Sequence, residues 1–300
     1  MSAKTFKPYG IIPAVITPIT AEGKFNEKAM RKLVNYLIDG GVHGLFIVGT
    51  TGEFYGLEPE EKREIFQVVM EETKGRVPVY GGTNGITTRE SIALTRIAEE
   101  CKLDAVSVLT PMFISPSQEQ LITHYQAIAA STSLPVLLYN NPPKTGVNLA
   151  PATVAKLAET PNIVSIKDSS GDLTIAAEYI RLTRHREDFN VLMGRDTLIY
   201  GALCYGAAGS IAACANVAPR LCADIYDKYM AGDLKGSLEA QLTLAPLRIA
   251  FTIGTFPAVI KESLEMLGIE AGPCMAPVGP MTAQERDKLR AVLVQMGLLQ

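Results

Sequence analysis

Short runs that are apolar without interruption alternate along the chain with longer stretches in which apolar residues recur every three or four positions. The runs fall at residues 11–17, 44–49, 77–81, 105–109, 135–139, 163–167, 191–194 and 209–213. Their length predicts strands, and the lack of polar alternation in several of them predicts strands covered on both faces. Between them, Met30, Leu33, Val34, Leu37 and Ile38 share one helical face, as do Ile65, Val68 and Val69, and Leu121, Ile122, Tyr125 and Ile128. Strand–helix alternation implies parallel strands joined by right-handed crossovers. Eight such units predict an α/β chain folded as a (β/α)8 TIM barrel over residues 1–227. The rival, a doubly wound sheet, calls for a glycine-rich turn after the first strand. Here the first run passes into Ile16, Thr17, Pro18 and Ile19 without one.

Beyond about residue 218 the pattern is helical with no strands. Leu234, Leu238, Gln241, Leu242 and Ala245 predict one helical face, Ala258, Ile260, Leu264 and Leu267 a second, and residues 289–299 a third. Pro273, Pro277 and Pro280 mark an irregular connection before the last helix. A C-terminal helical region over residues 228–300 follows.

Composition narrows the class. The 300 residues are 47% hydrophobic and 20% charged, which predicts a large core rather than disorder. A net charge of -3 with no basic stripe argues against nucleic acid as a partner. No apolar stretch has the length of a membrane span, and the first ten residues lack the apolar centre of a signal peptide. Five cysteines at scattered positions, with no CxxC pair, predict a reduced cytoplasmic protein without a zinc site.

In such a barrel the chemistry sits at the carboxyl ends of the strands. Those ends carry GTTGE at residues 49–53, GGTNG at 81–85, TPMF at 110–113, YNNPPKTG at 139–146, Lys167, and GRDT at 194–197. Lys167 has two readings: a strand-end lysine that reaches water, or a nucleophile held in a pocket. A dry pocket disfavours the ammonium form, and the free amine attacks a ketone to give a Schiff base. Tyr139, on the neighbouring strand, offers a phenol as proton shuttle or simply packs. The GTTGE loop offers inward N–H groups and the hydroxyls of Thr50 and Thr51 to a carboxylate, or is a plain turn. His43, His124 and His185 fall at no strand end, and residues 184–188 read as a solvated charged loop. No P-loop is present.

GTTGE, the YNNP segment with Tyr139, and IKD with Lys167 follow one another on alternating strands. Together with GIIPAVITP at residues 10–18, the GRD turn and ANVAP at 215–219, they resemble the dihydrodipicolinate synthase and N-acetylneuraminate lyase family along nearly the whole chain. The resemblance implies a barrel with a C-terminal helical region, a homotetramer, and class I Schiff-base chemistry on pyruvate or another 2-oxo acid without a metal or organic cofactor. Carried over by position, Lys167 is the Schiff-base lysine and Tyr139 the proton-shuttling tyrosine. Thr50 and Thr51 bind the pyruvate carboxylate, with Thr50 in the proton relay, and Gly194 and Ile211 shape the pocket. Asp168 matches no catalytic position and is read as a loop-capping residue.

Two positions depart from the synthase pattern. Phe113 stands where the synthases lend a tyrosine to the neighbouring subunit. Lys144 stands where they use an arginine to grip the carboxylate of aspartate semialdehyde, and lysine lacks the bidentate fork. Both departures favour a lyase or aldolase acting on a 2-keto-3-deoxy sugar acid or a 4-hydroxy-2-oxo acid, with Asp196 and Ser169 as candidate partners of sugar hydroxyls. The alternatives are 4-hydroxy-tetrahydrodipicolinate synthase with Lys144 in place of arginine, a dehydratase or deaminase on the same Schiff base, and a non-catalytic regulator that binds a 2-oxo acid. A phosphate-binding barrel enzyme is disfavoured because residues 212–219 offer no glycine-rich phosphate loop.

Overall fold

The computed structural model describes residues 6–300. Eight parallel strands lie in the order β1-β8-β7-β6-β5-β4-β3-β2. They are β1 (Gly10–Pro13), β2 (Leu45–Ile47), β3 (Val79–Gly82), β4 (Ala105–Leu109), β5 (Val136–Asn140), β6 (Ile163–Asp168), β7 (Asn190–Met193) and β8 (Gly209–Ala212). A parallel bridge between Ala14 and Phe46, with Val15 N donating to Phe46 O at 2.8 Å, joins the two ends and closes the TIM barrel.

Four strands, β1, β2, β3 and β8, are shorter than their apolar runs. Of the first run only residues 11–13 pair as a strand, yet Ala14, Val15 and Ile16 beyond it remain buried. Hydrophobicity reports burial, and the chain stays buried after the ladder ends because it lines the barrel mouth. Helices wrap the outside: α1 (Glu27–Asp39), α2 (Pro59–Thr73), α3 (Thr88–Glu100), α4 (Gln118–Ala129), α6 (Pro151–Leu157), α7 (Leu173–Thr183), α8 (Ile199–Tyr205) and α9 (Pro219–Met230), with the one-turn α5 (Pro142–Thr145) at the barrel mouth. Met30, Leu33, Val34 and Leu37 form the buried stripe of α1, as their spacing predicts.

Three further helices follow: α10 (Leu234–Ala250), α11 (Ala258–Met266) and α12 (Ala283–Gln295). The helix over 234–250 forms, but of its predicted face Gln241 is buried while the three leucines are exposed. Leu234, Leu238 and Leu242 are 50%, 38% and 57% exposed, while Ser237, Ala240, Gln241, Leu244 and Leu247 are buried. The small residues bring α10 close enough to α9 for Ser237 Oγ to donate to Ile225 O at 2.6 Å. A leucine count cannot register that kind of contact. The last helix starts six residues before its apolar pattern, set by a capping box in which Glu285 N donates to Thr282 Oγ1 and Thr282 N to Glu285 Oε2.

Candidate active site

Lys167 and Tyr139 face each other directly across the β5–β6 ladder, with Asn140 opposite Asp168 one step on. Side chains alternate along a strand, so one pair faces the barrel axis and the next faces the helices. Lys167 and Tyr139 take the inner face, and both are buried. Lys167 Nζ lies 4.1 Å from the centroid of the Tyr139 ring and 4.8 Å from that of Phe46. Among the described residues no carboxylate pairs with it. Asp168 points the other way. It accepts hydrogen bonds from Asn140 Nδ2 (2.9 Å), Ser170 N (3.2 Å) and Ser170 Oγ (2.8 Å), which makes it the cap of the following loop.

The Tyr139 hydroxyl is shared. It lies 3.3 Å from Thr50 Oγ1 and accepts from Asn141 Nδ2 at 3.0 Å. Burial raises the phenol, but the Lys167 charge and the hydrogen bonds of Thr50, Lys167 and Ser169 outweigh it, so the net position is below the ordinary tyrosine value. A phenol lowered in this way transfers a proton more readily near neutral pH.

The GTTGE loop is shaped by its glycines. A Cβ on Gly49 would lie 2.5 Å from the Phe46 ring, and one on Gly52 would lie 3.0 Å from Val15 O. The loop's own hydrogen bonds run from Glu53 N to Thr50 O and from Phe54 N to Gly49 O, both 3.3 Å, leaving the N–H groups of Thr50 and Thr51 outside the turn's ladder. Only one 3-10 turn, Phe54–Gly56, follows directly, and α2 begins at Pro59. The loop's capacity for an anion therefore rests on its own N–H groups and the two hydroxyls rather than on a helix dipole. Glu53 faces away from the cavity. It pairs with Lys261 of α11 at 2.6 Å and accepts from Met275 N at 2.7 Å, so it ties the loop to the C-terminal helices.

One cavity of about 250 Å³ gathers Lys167, Tyr139, Thr50, Thr51, Gly194, Ile211 and Lys144, the seven residues to which the family resemblance assigns catalysis or substrate binding. Phe113 is not among them: it is 95% exposed on the loop after β4, with φ +70°. Asp196 reaches the cavity wall but is committed, accepting from Cys214 N at 2.7 Å and facing Arg248 Nε at 3.4 Å. Ser169 donates to Gly194 O at 3.3 Å.

Sequence reasoning missed the lid of the cavity. Arg248, Phe251, Thr252 and Phe256 come from the end of α10 and the segment after it. Arg248 sits 5.2 Å over the Phe251 ring, and Lys144 Nζ lies 5.9 Å from the Phe256 ring. The only signal was a single arginine in the otherwise apolar stretch 244–251. Among the described residues no group of three His, Cys, Asp or Glu side chains is placed to hold a metal ion, and no helix is long and apolar enough to cross a membrane.

Residues 7–296 match the dihydrodipicolinate synthetase family. The 4-hydroxy-tetrahydrodipicolinate synthase of Rhodospirillum centenum is 41% identical over 294 residues, covering 97% of this chain and 99% of that protein. That of Methanothrix thermoacetophila is 38% identical over 287 residues, covering 96% of both. Among solved structures, a prophage protein of the dihydrodipicolinic acid synthase family from E. coli K12, in complex with pyruvate, superposes with a TM-score of 0.94 at 33% identity, covering 97% of this chain and 99% of that one. Dihydrodipicolinate synthase from Thermotoga maritima does so at 0.94 and 32%, with the same coverage. The chain belongs to the dihydrodipicolinate synthetase family and is an enzyme of its class I, Schiff-base lyase type.

Proposed function

We propose that Lys167 is the Schiff-base nucleophile and pyruvate, free or as part of a longer 2-oxo acid, its carbonyl partner. The observation that carries this reading is the setting of Lys167: buried, stacked against two aromatic rings, with no carboxylate partner among the described residues, and beside a phenol hydrogen-bonded to Thr50. The Lys167 amine attacks the C2 carbonyl, and the oxygen leaves as water to give an iminium. When the C3–C4 bond breaks, its electron pair moves toward the iminium nitrogen and forms an enamine. Tyr139 takes the proton of the C4 hydroxyl as the aldehyde departs and, through Thr50, returns one to C3 before hydrolysis frees the lysine. Thr50 and Thr51 hold the carboxylate, Gly194 and Ile211 bound the pocket, and Lys144 meets the aldehyde part.

The preferred direction is cleavage of a 2-keto-3-deoxy sugar acid or a related 2-oxo acid. A second reading, 4-hydroxy-tetrahydrodipicolinate synthase, is favoured by the names of the curated relatives and by Lys144 at the cavity. A homotetramer in the cytoplasm belongs to the same proposal; the exposed Phe113 supports a contact between copies, which light scattering would test. Intact mass after incubation with pyruvate and borohydride, followed by peptide mapping, tests the mechanism. A reduced adduct on Lys167 is expected. No adduct with pyruvate or with any of a panel of 2-oxo acids would remove the Schiff-base reading and favour a binding protein.

A further inference from the structure

The cavity carries more positive charge than a pyruvate carboxylate accounts for. Lys144, Arg195 and Arg248 line it in addition to Lys167, against one carboxylate, Asp196. That carboxylate already serves Arg248 and Cys214 N. Arg195, the second residue of the GRD turn after β7, is half-buried, and among the described residues its side chain has neither an ion-pair nor a hydrogen-bond partner. Its guanidinium lies over Gly171, where a Cβ would meet Arg195 Nε at 3.1 Å, so the glycine leaves it a slot. Burial, and then the Arg248 charge, pull it below the ordinary arginine value, with Asp196 acting in the opposite sense. A half-buried guanidinium beside another one, with no counter-ion of its own, is an unfavourable arrangement that an anion would relieve.

We propose that Arg195 is a specificity-determining residue, binding a second anionic group, a carboxylate or a phosphate, at the end of the substrate remote from the carbonyl that Lys167 attacks. The inference deepens the Schiff-base reading and rests on it for the orientation of the substrate. Thr50 and Thr51, on the loop after β2, take the inner carboxylate; Arg195, on the loop after β7, takes the outer anion. Lys144 is exposed, so water and salt screen it, whereas Arg195 presents a planar fork from a partly desolvated slot. Among the 2-oxo acids of the proposed function, those with two charged ends, a phosphorylated or dicarboxylic 2-keto-3-deoxy sugar acid among them, are then preferred over those that release a neutral aldehyde.

Two matched pairs of compounds test this. Borohydride trapping on Lys167 is titrated with 2-oxoglutarate and with 2-oxopentanoate, which differ only in the terminal carboxylate. Condensation with pyruvate is measured for glyceraldehyde 3-phosphate and glyceraldehyde, which differ in the phosphate. The wild type is expected to prefer the charged member of at least one pair, and which pair identifies the group. Arg195→Gln should reduce that preference about ten- to hundredfold, the scale of one charge-assisted hydrogen-bonded contact. Arg195→Lys should restore part of it, which a purely structural role would not require. No preference in either pair, or an equal loss for charged and neutral members in Arg195→Gln, overturns the inference. If no 2-oxo acid labels the wild type, the Schiff-base reading fails instead. Calorimetry with glutarate and with inorganic phosphate then decides Arg195: binding lost in Arg195→Gln supports it, and binding that is absent or unchanged overturns it.

Discussion

Two lysines of this chain are buried to nearly the same degree, Lys167 at 4% exposed and Lys261 at 2%, and they are held in opposite ways. Lys261 has a carboxylate, Glu53, at 2.6 Å and donates to Pro273 O at 2.7 Å. Lys167 has aromatic faces and a phenol, and no carboxylate among the described residues. A paired ammonium is a fixed strut, because releasing its proton would strand the partner's charge. An amine among rings stays available to a carbonyl carbon. Burial alone therefore does not distinguish a structural lysine from a nucleophile; the partner does.

The comparison breaks most sharply at Lys167. Lys167→Met should fold normally, give no borohydride adduct and lose at least about 10⁴-fold in kcat, the scale of losing a catalytic nucleophile. An adduct that persists on another lysine would end the assignment. Tyr139→Phe should still form the adduct but turn over about 10²- to 10⁴-fold more slowly, since a proton-transfer group is removed while the nucleophile stays. Unchanged turnover would leave the phenol a packing group. At the other lysine the effect should appear in stability. Lys261→Met leaves Glu53 buried without its partner and should cost about 3–5 kcal/mol, read from the denaturant midpoint. Lys261→Met combined with Glu53→Gln should recover part of that loss. A loss below about 1 kcal/mol in the single variant would place the pair among weak surface-like bridges. The smallest effect concerns pH. The phenol lies below its ordinary value even though burial raises it, and the Thr50 hydrogen bond is one of the interactions that lower it. Tyr139 must be deprotonated to take the C4 proton, so Thr50→Val should shift the rising, acidic limb of the kcat profile to higher pH; a shift the other way would contradict the hydrogen-bonded pair.

How much of this was legible in the sequence depends on the distance over which each feature is decided. Strand period and position at a strand end are local, so Lys167 and Tyr139 could be placed side by side at the mouth before any coordinates. GTTGE was legible as a loop, but its glutamate was not. Glu53 takes its partner from a helix about 200 residues away, and no local pattern announces Lys261. The lid was illegible for the same reason: Arg248, Phe251 and Phe256 reach the cavity through the packing of α10, whose exposed leucines suggested the wrong side. Asp196 looked free to meet a sugar hydroxyl because its partners, Arg248 and the amide of Cys214, come from elements that follow it in the chain.

The bridge that closes the barrel has a bearing on the enzyme's endurance. Phe46 supplies both the carbonyl that receives Val15 N and the ring beneath Lys167. The seam between the first and second strands and the floor of the proposed nucleophile are thus one residue. A transient opening of that seam, of the kind amide hydrogen exchange detects well before global unfolding, would tilt the ring and wet the amine. Heat inactivation of this protein should therefore begin as a local event at the seam, with labelling of Lys167 lost while most of the helical signal remains.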